Sequence, residues 1–303
     1  MDKTKPAKRA TSLAELREIT KPLFSAEGYE TGLALKLRPT DVVITPFGKS
    51  GTTWTQQIVH TLRTRGDMDF DDISRVVPWI ETSISLGLDL DAEQRANPRA
   101  FKSHLSADLV PKGGRYINVV RDFGDAAVSM YKFNEGWFLE PGSVPIDEFV
   151  EAQMMRDDSY FKHLLSWWPR RNEHDVLFLA YELMQRNISE TIKRIAEFIN
   201  IDLDEKLLAL TLEHSSLPFM LAHKDRFDDA LMRTKSEEVS NLPTGSDSAK
   251  VREGKIGSRT ELSKKTLARI DETWKEQITP VLGFSNYHEM LVELQKPNLG
   301  LVG

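Results

Sequence analysis

The chain has 303 residues, of which 40% are hydrophobic and 28% are charged, as is typical of a globular protein with a large core. It contains no cysteine, which excludes disulfide bonds, thiolate nucleophiles and cysteine-bound zinc. The net charge of −6 argues against a nucleic-acid-binding protein, but a local basic pocket can still hold a polyanion.

The first twelve residues are rich in lysine and arginine and too polar to pack. We therefore predict a disordered basic arm over 1–12 and a single domain over 13–303. No apolar segment follows the arm, which argues against a secretory signal. No apolar run approaches the about 18–20 residues that span a bilayer. We expect a cytoplasmic protein without a transmembrane segment, either a monomer or a homodimer.

Short β-rich runs alternate with amphipathic patterns along the chain. We predict strands at 42–45, 100–103, 116–120 and 176–180 and helices at 51–65, 124–135, 146–167, 186–199, 204–213 and 263–279. This alternation favours right-handed crossovers, so the predicted fold is a single α/β domain with a central, mostly parallel β-sheet flanked by helices. Residues 222–247 carry many charges and little periodicity, which indicates a mobile surface loop or lid.

The most informative segment reads Asp41-Val42-Val43-Ile44-Thr45-Pro46-Phe47-Gly48-Lys49-Ser50-Gly51-Thr52-Thr53-Trp54. A buried strand passes through a glycine turn into a helix whose apolar face carries Trp54, Ile58 and Leu62. The free amides at that helix N-terminus and the positive end of its dipole form a cradle for an anion. Lys49 adds a mobile positive charge and the nearby hydroxyls add donors, so we predict a P-loop-like phosphate-binding loop.

The loop differs from the nucleotide-triphosphatase pattern G-x-x-x-x-G-K-[ST], because Val43 stands where the first glycine is required. The run Lys49-Ser50-Gly51-Thr52-Thr53-Trp54 instead resembles the 5′-phosphosulfate loop of the cytosolic-type sulfotransferases. That family moves a sulfuryl group from 3′-phosphoadenylyl sulfate (PAPS) to a hydroxyl or amine and releases adenosine 3′,5′-bisphosphate (PAP). The resemblance implies that these six residues bind the phosphosulfate.

A second segment, Lys102-Ser103-His104-Leu105, ends a predicted strand and places an imidazole at a strand carboxyl end. An isolated histidine at this position would usually be a structural residue, although its proton affinity also suits a general base. The segment resembles the Lys-Thr-His-Leu run that carries the catalytic base of the same family. By that resemblance His104 is the general base, and Lys102 is a second active-site cation beside Lys49.

A third segment supplies an arginine and a hydroxyl, a combination that suits a terminal phosphate. Arg121 follows the strand 116–120, and Ser129 lies on the helix after it. The pattern resembles the family's 3′-phosphate site and implies that both residues bind that group. The turn Asp122-Phe123-Gly124 departs from the family, which commonly has Asn-Pro there. A surface Arg–Asp pair that caps a helix is the alternative reading.

The run Val251-Arg252-Glu253-Gly254-Lys255-Ile256-Gly257 resembles the family's R-K-G-x-x-G signature, which closes over the 3′-phosphate. The resemblance implies that Arg252 and the Gly254 backbone grip the phosphate. Glu253 replaces the usual lysine and would repel a phosphate if it pointed inward, and Lys255 would have to compensate.

Two further matches concern the adenine. Tyr181 follows the strand 176–180 and resembles the family's purine-contacting tyrosine. Ser215 and Met220 lie in a segment that resembles the family's Thr-Ser-Phe-x-x-Met run, with Leu217 at the position of the stacking phenylalanine. Trp54 would then supply an aromatic face for the base. Ordinary core packing is the alternative for these residues.

The motifs occur in the family's order, and together they predict a sulfotransferase that uses PAPS as co-substrate and no metal. The expected acceptor is a hydroxyl or amine of a mainly apolar small molecule or lipid-like compound. The side chains expected to wall its pocket are Phe47, Trp79, Ile80, Leu86, Phe133, Trp137 and Phe138. A P-loop nucleotide kinase or ATPase and a catalytically inactive nucleotide-binding scaffold are the alternatives.

Overall fold

The computed structural model describes residues 7–296, and the sheet within them has four parallel strands. They are β1 (Val42–Ile44), β2 (Ala100–Lys102), β3 (Arg115–Val120) and β4 (Val176–Ala180), in the order β2-β1-β3-β4. Val43 of β1 pairs with Phe101 on one side and with Tyr116 on the other. The predicted α/β fold with a parallel sheet is confirmed, and β4 has the predicted bounds.

Helices cover both faces of the sheet. Several begin at a polar residue whose side chain accepts a hydrogen bond from an amide of the first turn, as at Ser12, Asp122 and Asn187. The α-helices are α1 (Leu13–Thr20), α2 (Ala26–Leu33), α3 (Thr52–Thr64), α4 (Ile73–Val76), α5 (Phe123–Trp137), α6 (Ile146–Phe149), α7 (Ser159–Trp167), α8 (Tyr181–Arg186), α9 (Ile188–Phe198), α10 (Glu205–His214), α11 (Leu217–Ala222), α12 (Ala230–Ser240), α13 (Lys264–Gln277), α14 (Thr279–Leu282) and α15 (Tyr287–Leu294). Short 3₁₀ helices lie at Lys21–Leu23, Ile84–Leu86, Trp168–Arg170, Lys224–Arg226 and Ser258–Glu261.

The strand side chains alternate between two buried apolar layers, because successive residues of a strand point to opposite faces. Val42 and Ile44 pack in one layer with Ile58 of α3. Val43 packs in the other layer with Phe101 and Phe149. Burial on both faces explains why the strand segments are continuously apolar in sequence.

The single helix predicted over 146–167 is wrong, because the chain breaks there into separate pieces. α6 passes into a π-helical turn, Val150–Met154. Asp158 then takes a left-handed conformation with a φ of 56° immediately before α7. The other predicted helices correspond to α3, α5, α9, α10 and α13, with small shifts at their ends.

The segment 222–247, predicted to be a mobile loop or lid, contains the packed helix α12. Its buried positions are Met232, Ser236 and Ser240, which recur every four residues. Ser236 accepts a hydrogen bond from Trp137 Nε1 at 3.0 Å, and Ser240 donates to the carbonyl of Ile19 at 2.5 Å. Two of the three inward positions are serines, so the apolar period that would have indicated a helix is missing from the sequence.

The N-terminal segment also differs from the disordered arm predicted over 1–12. Residues 1–6 lie outside the described residues, but the segment that follows them is packed. Ala10 is buried, and its amide donates to the Phe138 carbonyl at 2.8 Å. The guanidinium of Arg9 donates to the carbonyls of Glu135 and Gly136, near the end of α5. Arg9 therefore acts as a helix C-terminal partner, a use of a basic residue that composition does not distinguish from disorder.

The strand order brings four chain segments to one edge of the sheet. β2 and β3 lie on opposite sides of β1, so the connections that leave β1 and β3 diverge there, and a crevice opens at the strand carboxyl ends. The segments that follow the four strands carry Lys49, His104, Arg121 and, at the start of α8, Tyr181. The topology therefore gathers residues that lie far apart in the sequence.

Candidate active site

A cavity of about 630 Å³ opens at this edge, and all the sequence-predicted site residues except Ser50 line it. Those residues are Lys49, Gly51, Thr52, Thr53, Trp54, Lys102, His104, Arg121, Ser129, Tyr181, Ser215, Met220, Arg252 and Gly254. Ser50 is fully buried in the turn behind them. The site predicted from separate motifs is thus one continuous space in the structure.

The turn between β1 and α3 has the geometry of an anion cradle. Lys49 and Gly51 both adopt a left-handed backbone, with φ values of 67° and 94°, and α3 begins at the next residue. The hydroxyls of Ser50 and Thr52 are buried and have no hydrogen-bond partner within residues 7–296. Unpartnered buried donors are costly, so their presence at a helix N-terminus fits a site for phosphate or sulfate oxygens.

Gly51→Ala should lower the free energy of unfolding by about 1–3 kcal/mol and weaken PAP binding, measured by chemical denaturation and calorimetry. A Cβ at Gly51 would stand 2.9 Å from Cδ2 of Tyr181, in a backbone conformation that L-residues rarely adopt. Gly87→Ala is the matched control, because Gly87 has a φ of 71° and the described residues leave its Cβ position open. Equal losses in both variants would contradict a specific clash with Tyr181.

His104 presents one ring nitrogen as a hydrogen-bond acceptor. Its Nδ1 lies 2.7 Å from the Pro46 carbonyl, which can only accept, so Nδ1 carries the hydrogen and Nε2 holds the lone pair. Burial, and then the charge of Lys102, lowers the pKa of His104 to about 3, so the ring is neutral near pH 7. The backbone amide of His104 donates to Glu81 Oε1 at 2.7 Å, which fixes the strand end.

The two predicted lysines sit against aromatic rings. Lys49 Nζ lies 4.4 Å from the centroid of Phe133, and Lys102 Nζ lies 3.9 Å from that of Trp79. Burial, and then the charge of Lys250, lowers the pKa of Lys49 to about 7 and that of Lys102 to about 8. Both ammonium groups are held in a desolvated, electropositive space, where an anion would raise their pKa values again.

Arg121 joins the two loops that the sequence assigned to opposite ends of the nucleotide. Its guanidinium donates to the Lys49 carbonyl at 3.0 Å and to the Lys255 carbonyl at 2.8 Å. The same group lies 4.3 Å from the centroid of Tyr181. Its buried Nε has no partner within the described chain and remains available to a ligand. The alternative of a surface Arg–Asp pair does not hold for Arg121, because Arg121 is buried and its acidic neighbour at 3.9 Å is the buried Asp125, whereas Asp122 caps α5 and pairs with Arg259.

Sequence reasoning missed the residues that hold the loop of Arg252 and Gly254 in place. The carboxylate of Asp125 accepts hydrogen bonds from the amides of Gly257 and Arg259, each at 2.8 Å. Gln185 donates to the Gly254 carbonyl and, at 3.0 Å, to the hydroxyl of Tyr181. The aspartate was visible four residues after Arg121, but its partners lie more than a hundred residues away.

Glu253 also belongs to the lining of the cavity. Its side chain is exposed and pairs with Lys255 at 2.7 Å and with Arg252 at 3.5 Å. Lys255 therefore lies close enough to offset the reversed charge, and its effect on phosphate binding stays a prediction.

The predicted adenine side of the cavity has an aromatic corner. The rings of Trp54 and Tyr181 meet edge to face with centroids 5.6 Å apart. Trp54 Nε1 donates to the carbonyl of Ser215 at 2.8 Å, which fixes the indole. The hydroxyl of Ser215 donates to the Thr211 carbonyl at 2.6 Å, so its proton is already engaged at the end of α10.

The rest of the wall is apolar and comes partly from segments that the sequence did not indicate. Of the expected wall residues, Trp79, Phe133, Trp137 and Phe138 line the cavity. Phe47, Ile80 and Leu86 do not line it and pack into or against the core behind it. The additional apolar lining comes from the N-terminal helices, α6 with its π-turn, and α12: Leu16, Leu23, Phe24, Phe149, Met154 and Met232.

The described residues show two further negative results. Between residues 7 and 296, no group of three or more histidine, aspartate or glutamate side chains is placed to hold a metal ion. In the same range, no helix has the length and apolar character needed to cross a bilayer.

The fold and this cavity define an α/β protein with a P-loop-like anion site, and comparisons with known proteins identify its family. Residues 39–281 match the sulfotransferase domain. The chain is 34% identical over 198 residues to sulfotransferase 1B1 of Canis lupus familiaris, an alignment that covers 60% of this chain and 67% of that protein. It is 30% identical over 233 residues to sulfotransferase 1 family member D1 of Rattus norvegicus, covering 72% and 79%.

The fold comparison agrees with the sequence comparisons. A crystal structure of retinol dehydratase in complex with androsterone and the inactive cofactor PAP matches 90% of this chain and 96% of that one, with a TM-score of 0.65 and 20% identity. The chain therefore belongs to the sulfotransferase family. It is a PAPS-dependent sulfotransferase, as the motifs predicted, and the kinase or ATPase alternative is set aside.

Proposed function

We propose that this enzyme transfers the sulfuryl group of PAPS to a hydroxyl or amine of a mainly apolar small molecule or lipid-like compound. One observation carries the proposal: a neutral imidazole, two lysines and an unpartnered phosphate loop line the same cavity as a broad apolar wall. Positioning and electrostatic stabilisation supply most of the rate in such group transfers.

In the proposed reaction His104 is the general base. The acceptor oxygen or nitrogen attacks sulfur in line, and the bond from sulfur to the bridging phosphate oxygen breaks. The acceptor proton passes to Nε2 of His104, because the Pro46 carbonyl fixes the other nitrogen as a donor. The electron pair leaves on the 5′-phosphate oxygen of PAP. Lys49 and Lys102 stabilise the charge that develops there.

The nucleotide is proposed to lie across the strand ends. The loop 49–54 would hold the phosphosulfate, as its buried free hydroxyls suggest. Arg121, Ser129, Arg252 and the Gly254 backbone would hold the 3′-phosphate. The aromatic corner of Trp54 and Tyr181 would contact the adenine, with Met220 and the main chain of Ser215 beside it.

The acceptor is proposed to occupy the apolar side of the cavity, between Phe133, Trp137 and the N-terminal helices. The related retinol dehydratase was solved with androsterone, a steroid, which supports an apolar alcohol as the class of acceptor here. The cationic side chains near His104 disfavour an acceptor with a second positive charge.

The function is tested by offering PAPS with a panel of acceptors: 2-naphthol, androsterone, a long-chain primary alcohol and a primary amine. Mass spectrometry should detect a sulfated product and PAP in equal amounts, with the apolar hydroxyl compounds turned over best. Binding should rank PAP above adenosine 5′-monophosphate and above ATP with Mg²⁺. Tight PAP binding with no product from any acceptor would instead identify an inactive nucleotide-binding scaffold.

PAP affinity should fall as the pH rises from about 7 to about 9, by roughly tenfold or more, because two lysines lose their protons in the free enzyme. The pKa of Lys49 lies at about 7 and that of Lys102 at about 8, and the bound anion favours the charged form of both. Both phosphates of PAP are dianionic throughout this range, since their second pKa is about 6.

Isothermal titration calorimetry in buffers of different ionisation enthalpy measures both the affinity and the protons taken up. Proton uptake on binding above pH 7 is the expected sign. Lys49→Met should reduce the pH dependence, and a PAP affinity independent of pH would contradict the assignment of these lysines to the nucleotide phosphate.

A further inference from the structure

A buried ion pair lies in the wall of the cavity and belongs to none of the motifs described above. The ammonium of Lys250 contacts Oδ1 of Asp229, and both side chains are about nine-tenths buried, with 10% and 9% of their surface exposed. Both residues line the cavity together with Lys49 and His104. Burying two charges costs several kcal/mol of desolvation, so such a pair is weak support for stability alone.

The pair joins the two ends of the segment 228–250, which contains α12. One residue before Asp229, the carboxylate of Asp228 accepts hydrogen bonds from the amide of Ser248, at 2.9 Å, and from its hydroxyl. The two contacts form adjacent crosslinks between 228–229 and 248–250. They fix Lys250 only two residues before Arg252, at the start of the loop assigned to the 3′-phosphate.

Charge is concentrated around this pair. Lys49, Lys102, Lys250 and Arg121 all line the cavity, together with Asp229. The charges of Lys250 and Asp229 act most strongly on both Lys49 and Lys102, followed by Lys102 and Arg121 at Lys49 and by Glu81 and Asp72 at Lys102. Lys250 also acts on His104. Three ammonium groups and one guanidinium thus share one desolvated space, a concentration of positive charge that a bound anion would relieve.

We propose that Lys250 is a third cation of the sulfuryl-transfer site and that Asp229 is its positioning residue. The proposal rests on the function proposed above. As the bond from the acceptor oxygen to sulfur forms and the bond from sulfur to the phosphate oxygen breaks, Lys250 shares the charge on the departing oxygen with Lys49 and Lys102. Asp229 holds the Lys250 ammonium in the cavity until the anion arrives.

The test compares Lys250→Met, Asp229→Asn and the double variant. PAP release from PAPS is measured with 2-naphthol as acceptor and with water alone. Lys250→Met should slow PAP release by about tenfold or more at saturating PAPS, since one preorganised donor at a developing charge can be worth more than this. Lys224→Met is the matched control, because Lys224 pairs with Asp247 on the exposed side of the same segment at 2.8 Å. The rate of PAP release by Lys224→Met should match that of the native enzyme within about twofold.

The double variant separates a catalytic from a structural role. Lys250→Met alone leaves a buried, unpaired carboxylate, whereas the double variant removes both charges and leaves neither unpaired. If Lys250 acts on the departing oxygen, the double variant stays as slow as the single one. If the pair only stabilises the segment, the double variant recovers both thermal stability and rate, and the proposal is overturned.

The pH profile of kcat/KM for PAPS, which reports ionisations of the free enzyme, gives a second readout. The fall of kcat/KM at high pH reports the loss of protons from Lys49 and Lys102. It should move to higher pH in Lys250→Met, because a neighbouring positive charge is lost, and to lower pH in Asp229→Asn, because a neighbouring negative charge is lost. If the alkaline fall does not move in either variant, or moves in the same direction in both, the positioning role is refuted. If the native enzyme neither binds PAP nor releases it from PAPS, the proposed function itself is refuted.

Discussion

His104→Asn should reduce sulfuryl transfer by about 10²–10⁴-fold while PAP affinity changes by less than about threefold. The asparagine amide can still donate to the Pro46 carbonyl as Nδ1 does, at 2.7 Å in the native enzyme, so the strand end keeps its hydrogen bond. Only the basic lone pair of Nε2 is lost. The rate is measured as PAP released from PAPS with the best acceptor of the panel, and affinity by calorimetry.

His174→Asn is the matched control, because His174 is exposed and does not line the cavity. It should retain full activity. A His104→Asn variant that turns over at the native rate would remove His104 from the mechanism. A variant that loses PAP binding as well would point to a structural role at the end of β2.

Lys49→Met should slow transfer by about 10²–10³-fold and also weaken PAP binding. The methionine keeps an unbranched, apolar stem but removes the ammonium, which lies 4.4 Å from the centroid of the Phe133 ring. In a desolvated site a lost charge is felt strongly, because little solvent replaces it. Initial rates at several PAPS concentrations separate the loss in kcat from the loss in affinity.

Lys193→Met, on the exposed face of α9, is the control and should leave both quantities unchanged. The pKa of Lys49 adds a second criterion. The native kcat/KM should decline above about pH 7, where Lys49 loses its proton in the free enzyme, whereas the low residual activity of Lys49→Met should decline only from about pH 8 upward, where Lys102 loses its proton. A decline of the same size in both enzymes would assign that ionisation to another group.

The sequence predicted the sheet well because its strands are buried on both faces. A strand such as Val176–Ala180 must be apolar throughout, and that signal does not depend on distant partners. The turns after the strands are also recognisable from local sequence, because the backbone conformation there requires glycine and a helix begins directly after it. Gly51, with its φ of 94°, shows such a local requirement.

The parts that the sequence did not predict depend on contacts between distant residues. α12 packs through serines whose hydroxyls meet Trp137 and the Ile19 carbonyl, so polarity there does not indicate exposure. In the sequence, Lys250 and Asp229 look like ordinary surface charges, because only the folded segment between them brings their side chains into contact. The broken helix at 150–158 likewise keeps its helical composition while its hydrogen-bond pattern changes.

The apolar wall of the cavity comes largely from pieces of chain that do not carry the strand-end motifs. Leu16, Leu23 and Phe24 precede the first strand, and Met232 belongs to α12, whereas Lys49, His104 and Arg121 follow the strands. Substitutions at Leu16, Leu23, Phe24 and Met232 therefore change none of the residues that follow the strands. Exchanging these four side chains for those of relatives is the corresponding engineering route to a different acceptor under the proposed function, with the donor loop 49–54 left unchanged.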